Sequence, residues 1–177
     1  LWLEWGPQRG ALWVWLPLAL PALPLVTGQY AIALHLGIDG HYAAVLWSHL
    51  LWVLPWMLLV LQPAWRRIDP RLILTARTLG WRRTKIFLLL KCPLLVRPAL
   101  LAFATGFSVS MAQYMPTLWL GAGRFATLTT ETVALSSGGS IPVLANRALG
   151  LLLVTGTVFG LAALLSRLVG RYRQGLR

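Results

Sequence analysis

The chain has 177 residues, of which 58% are hydrophobic and only 11% charged, with mean hydropathy +0.70 and a formal net charge of +12. A soluble domain carries about 25% charged residues, so this composition excludes an ordinary soluble fold and indicates a membrane protein. Nor does the positive charge form the basic face of a nucleic-acid module. Nine of the 16 Lys and Arg lie between Arg66 and Arg97 and four in the tail at Arg167, Arg171, Arg173 and Arg177, where they flank apolar runs.

A spanning helix needs roughly 20 mostly apolar residues. Four stretches meet that length in chain order: 11–34, 43–62, 94–115 and 148–169. The first carries no charge but contains Pro17, Pro21 and Pro24, and the second contains Pro55 and His49. Neighbouring helices in a bilayer satisfy the carbonyls that proline frees, so kinked spans are expected in both. The third carries Arg97 near one end, and the last ends at Arg167 with Gly156 and Gly160 at the spacing that permits close helix approach. The fold class expected is therefore all-α, a polytopic transmembrane bundle of about four spanning helices.

The connecting segments differ in charge. Segment 63–91 holds Arg66, Arg67, Arg71, Arg77, Arg82, Arg83, Lys85 and Lys91, while 35–42 holds no Lys or Arg and 116–147 only Arg124 and Arg147. The positive-inside rule then puts both termini (Arg9 precedes the first span) and the basic loop, about 66–91, in the cytoplasm, and the segment 116–147 on the other side. Trp13, Trp47, Trp65, Trp81 and Trp119 fall near span ends, as interfacial tryptophans do.

Within the basic loop, Asp69 is placed to cap a helix with Pro70 at its first position. Leu72, Ile73, Ala76 and Leu79 recur at helical spacing, and Gly80 ends the helix. The arginines after it begin a second helical segment towards Phe87. On residues alone this is either a solvated loop that sets topology or a short amphipathic helix that docks a cytoplasmic partner.

The stretch "LTARTLGWRRTKIFLLLKCPLLVRPAL", starting at Leu74, resembles the cytoplasmic loop signature of binding-protein-dependent ABC transporter permeases with the MetI-like fold. That signature is Glu-Ala-Ala, three residues, Gly, then a Leu-Pro pair. Here the triplet falls on Leu74, Thr75 and Ala76, the glycine on Gly80 and the pair on Cys92-Pro93, with Pro98 following. The flanks "LPLALPALPLVTG", "SHLLWVLPWMLLVL" and "FSVSMAQYMPTLWLGAGRFATLTT" look like the family too. Leu74 departs from its acidic residue, and Gln113 stands where relatives often have glutamate. The resemblance implies a C-terminal portion of a longer permease, which lies in the bacterial inner membrane. It also implies a separate ATP-binding cassette ATPase subunit as partner, a second permease unit and an extracytoplasmic solute-binding protein. Transport would proceed by alternating access. The ATPase-coupling residues it implies are Leu74, Thr75, Ala76, Arg77, Leu79, Gly80 and Pro93.

No GxxxxGK[ST] motif occurs, so ATP chemistry falls to a partner and no catalytic residue is assigned. Gly121-Ala122-Gly123 has no strand before it and reads as a loop, not a dinucleotide site. His35, His41 and His49 lack an accompanying carboxylate cluster, so neither a metal nor another cofactor is expected, and the histidines read as packed or interfacial. Cys92 is the single cysteine and reads as a small buried residue. Polar groups at membrane depth are costly and tend to face a cavity. Ser108, Gln113 and Tyr114 are therefore expected along a substrate path, with Arg124 and Glu131 at its outer mouth. The alternative is a multi-pass scaffold or assembly protein with no path, in which these groups bridge helices. An intramembrane enzyme has no nucleophile–base pair to stand on.

Overall fold

The first apolar stretch does not make one spanning helix. The computed structural model describes residues 12–136, 138 and 140–174, with no description of the side chains of 12 and 170–174. In it Pro21 takes φ −59° and ψ 137°, an extended backbone that separates helix α1 (Leu12–Ala19) from α2 (Ala22–Leu36). The proline ring disfavours helical backbone at Leu20 and removes an amide donor, so the ladder stops there. Pro24 falls in the first turn of α2, where its missing N–H costs nothing. At 15 residues, α2 is about 22 Å long and short of the ~30 Å hydrocarbon core. Arg9, Ser137, Gly139 and Arg177 lie outside the described residues, as do the side chains of Arg171 and Arg173.

Three helices among the described residues are long and apolar enough to cross a membrane: Tyr42–Arg66, Arg83–Met111 and Ile141–Val169. The first is α3, which absorbs Pro55 and Pro63 without breaking. The amphipathic α4 (Pro70–Thr78) follows. The second span is assembled from α5 (Arg83–Ile86), a π turn at Phe87–Lys91 and α6 (Cys92–Met111). The span therefore starts well before the expected residue 94, in the basic loop itself. The π turn sits just before Pro93, whose ring crowds the carbonyl four residues back and which has no N–H to offer it. Two short helices, α7 (Met115–Leu120) and α8 (Leu128–Ser136), lead to the long α9 (Ile141–Gln174).

The α3–α6 pair is the centre of the bundle, with α9 packed on the other side of α6 and α8 against α9. Gly106 makes the α3–α6 approach possible. A Cβ there would lie 2.7 Å from Met57 Cγ and 3.0 Å from Val53 Cγ1. A small apolar cluster of Val26, Ala33, Ala44 and Leu120 joins α2, α3 and α7, flanked by Tyr30 and Trp119 with ring centroids 6.1 Å apart. Among the described side chains of α9 only Ala162 is buried. Its Gly156 and Gly160 have no neighbour within 4 Å of a Cβ position, so the expected close approach is not made here.

Candidate functional site

Two regions carry the residues singled out by the sequence. The first is α4. The Asp69 side chain accepts from the Arg71 amide at 2.8 Å and Pro70 takes the first helical position, so the start of the helix is as the sequence predicts. At its other end Trp81 N donates to Ala76 O at 3.0 Å and Gly80 N to Arg77 O at 2.9 Å. This double closure requires left-handed backbone at Gly80, which has φ +74°. No atom lies within 4 Å of a Cβ built on Gly80, so conformation, and not crowding within the chain, calls for glycine there.

Ala76 is buried, while Leu74, Thr75, Arg77 and Leu79 are exposed, with Leu79 at 69%. The expected apolar stripe is therefore only half used: Leu72, Leu74 and Leu79 face outward. Arg66, Arg67, Arg71, Arg77, Arg82 and Arg83 form no ion pair with a carboxylate among the described residues. Pro93 lies at the start of α6, away from α4 in sequence but on the helix that the basic loop feeds. At the head of that helix the Lys91 ammonium sits 4.7 Å from the Trp65 ring centroid, and Trp65 in turn meets Phe87 at 6.4 Å. These contacts tie the π turn to the end of α3.

The second region is the far end of α6. Here His49 of α3 bonds through Nδ1 to Ser110 Oγ and through Nε2 to Thr117 Oγ1, both at 2.8 Å. Thr117 Oγ1 also donates to Gln113 O at 2.7 Å. That spends the only hydroxyl proton of Thr117, so in the neutral ring Nε2 carries the hydrogen and Nδ1 accepts from Ser110. One imidazole thereby joins α3, α6 and α7. Thr129 Oγ1 of α8 adds a hydrogen bond to Met111 O. Leu120 O accepts from Gly40 N at 2.8 Å, which returns the end of α7 to the loop before α3.

The expected path residues are spread over this end. Gln113 and Tyr114 line a cavity of about 440 Å³ together with Trp52, Trp56, Val26 and Met115. The Ser108 hydroxyl is buried without a hydrogen-bond partner among the described residues and does not line that cavity. Arg124 lies against the backbone of Gly40, its Cζ 3.2 Å from where a Cβ would stand. Glu131 pairs instead with Arg147 of α9 at 3.0 Å, both side chains about half exposed. Sequence reasoning passed over Trp52 and Trp56, and read His49 only as a packed or interfacial histidine, without its partners. The signal that could have found them is a histidine within an apolar span, which needs polar partners from neighbouring helices.

Taken together, the fold is that of a multi-pass helical membrane protein with a capped amphipathic helix on one connecting loop. Over all 177 of its residues the chain is 67% identical to the inner membrane ABC transporter permease protein YnjC of Escherichia coli K12. It is thus a homologue of an ABC transporter permease, matching the C-terminal portion and spanning 35% of the length of that relative. No family model matches the chain. No solved structure matches it either.

Proposed function

We propose that the chain is part of the membrane-spanning subunit of an ABC importer in the bacterial inner membrane. A small solute delivered by an extracytoplasmic binding protein passes through it by alternating access, driven by a separate ATPase subunit. A second permease unit, either another copy or a fused half, completes the pathway. The basic loop and both termini face the cytoplasm, following the positive-inside rule. Leu74, Thr75, Ala76, Arg77, Leu79 and Gly80 form the seat of the ATPase, and Pro93 marks the entry of the connected span. Ser108, Gln113 and Tyr114 belong to the solute path, with Arg124 and Glu131 at its outer end.

The observation that carries this reading is the outward half of α4. A nine-residue helix capped at both ends presents Leu74 and Leu79 beside Arg77, both more than half exposed among the described residues. Apolar side chains on a rigid, cationic element suit a partner groove. Its C-terminal cap leads within a few residues to the span that reaches the cavity. The 67% identity to a permease supports the same reading.

Co-purification of the full-length protein with its neighbouring ATPase subunit tests it, comparing wild type with Gly80→Trp. Gly80 lies outside the spanning helices, so both proteins should insert. Retention of the ATPase by wild type and its loss from the variant is the expected result. Retention by both moves the contact away from α4, and retention by neither favours a scaffold without a transport path.

A further inference from the structure

The α6 helix stops inside the bundle. Ser110, one residue from its end, is bonded to His49, and His49 is seven residues into α3 from Tyr42. At 1.5 Å per residue, α6 ends about 10 Å short of the outer end of its antiparallel partner. The remaining distance is covered by α7, which ends against Gly40. Between them Gln113 and Tyr114 interrupt the helical ladder, Ala112 N still reaching Ser108 O at 3.0 Å, within the length that α3 spans. Non-helical backbone at that depth is tolerated where it is buried in protein or lines a cavity. Here it lines one, the open 440 Å³ cavity between α2, α3 and the α6–α7 break, at whose edge Leu23, Trp56 and Met115 are exposed.

The chemistry of that cavity is specific in what it lacks. Among the described residues that line it, none is Asp, Glu, Lys, Arg or His. Its walls are the rings of Trp52, Trp56 and Tyr114 with aliphatic side chains, and the Gln113 amide supplies a donor and an acceptor. Two polar side chains on α2 and α3 are buried without a partner among the described residues. The Trp52 indole N–H is buried and has no acceptor among the described residues. The Gln29 amide, one turn along α2 from Val26, is 4% exposed and has no partner on either atom among the described residues. Neither opens into the cavity: Gln29 is not part of its lining, and the Trp52 indole nitrogen is out of reach of water, so the Gln113 amide is the hydrogen-bonding group the described lining offers.

We infer that this cavity is the solute-binding part of the path and takes an uncharged organic molecule with a flat apolar face and a hydrogen-bonding edge, not an inorganic ion. The inference rests on the proposed permease function. Aromatic walls reward a flat apolar surface, and the Gln113 amide rewards a carbonyl or amide edge. A bare ion would be left without a counter-charge in a largely apolar site.

The test uses the full-length protein in membrane vesicles, with Cys92→Ala to remove the native thiol and Ala112→Cys to place one on the cavity wall. The labelling rate of the introduced thiol by methyl methanethiosulfonate is measured alone and with benzamide, benzoate or benzyltrimethylammonium. These three probes share a ring and differ in charge. Benzamide should protect and the two ions should not. Gln113→Leu, which keeps the bulk but removes the amide, should raise the benzamide concentration needed by about fivefold, the worth of one hydrogen bond. Val109→Cys, on the same wall, repeats the measurement should Ala112→Cys disturb the break. Equal protection by either ion, or none by benzamide, overturns the assigned solute class while leaving a solvent-reached path. A thiol that no water-soluble reagent reaches at either position overturns the path itself.

Discussion

At the scale of single residues, His49 concentrates the most connectivity in the fewest atoms. Its ring is the link through which α3 holds both Ser110 and Thr117, so its loss takes the His49 bond from Ser110 and leaves Thr117 with its bond to Gln113 O, in a partly buried place. His49→Leu keeps comparable bulk and should cost about 1–3 kcal/mol, read as a lower midpoint of thermal unfolding in detergent. His49→Gln, with an amide able to reach one of the two hydroxyls, should recover part of that loss. An equal stability of wild type and His49→Leu would mean that the three helices are held by packing alone. Little of this was legible in the sequence. A histidine between apolar residues has the same local pattern whether it packs quietly or bridges, and the partners lie 61 and 68 residues away. Gln113 and Tyr114 were legible because they sit at the end of an apolar run, where a polar pair is conspicuous. Their grouping with Trp52 and Trp56 was not, since tryptophans in a span look like lipid-facing or interfacial residues until the fold turns them to one wall.

At the scale of elements, α4 shows local chemistry prevailing. Asp69, Pro70 and Gly80 each act within a few residues of themselves, and all three do what their residue types predict. Asp69→Ala removes the cap and should weaken the helix by about 1 kcal/mol. Because α4 is mostly exposed, the effect should appear as faster amide hydrogen exchange in 70–78 with little change in global unfolding. Unchanged exchange there would mean that tertiary contacts, and not the cap, hold the helix. Where an element's outcome depended on longer-range packing, the sequence was less informative. The first apolar stretch is long enough to span, yet Pro21 divides it while Pro55 leaves α3 whole. Both prolines carry the same local penalty. Pro55 is buried in α3, the helix that packs on α6, whereas Pro21 is exposed.

For the whole molecule, the α3–α6 pairing is the spine on which the other helices depend. Without water to drive helices together, a bilayer bundle relies on close van der Waals fit, and Gly106 is where that fit is tightest. Gly106→Leu would place side-chain atoms where Met57 and Val53 already stand, so the helices must separate. The expected outcome is a loss of monodisperse protein in detergent and a sharp fall in thermal stability, by roughly 1–3 kcal/mol or more. Recovery in the double variant Gly106→Ala with Met57→Ala would locate the effect in this contact. The same spine has a mechanical side. From Arg83 to Met111 the chain is one helical span of 29 residues, about 43 Å long, with the π turn at Phe87–Lys91 and Pro98 along it. Its foot stands a few residues from α4 and is pinned to the end of α3, because Trp65 meets both Lys91 and Phe87. A push arriving at that foot is therefore shared between α3 and α6, the two helices that also wall the cavity.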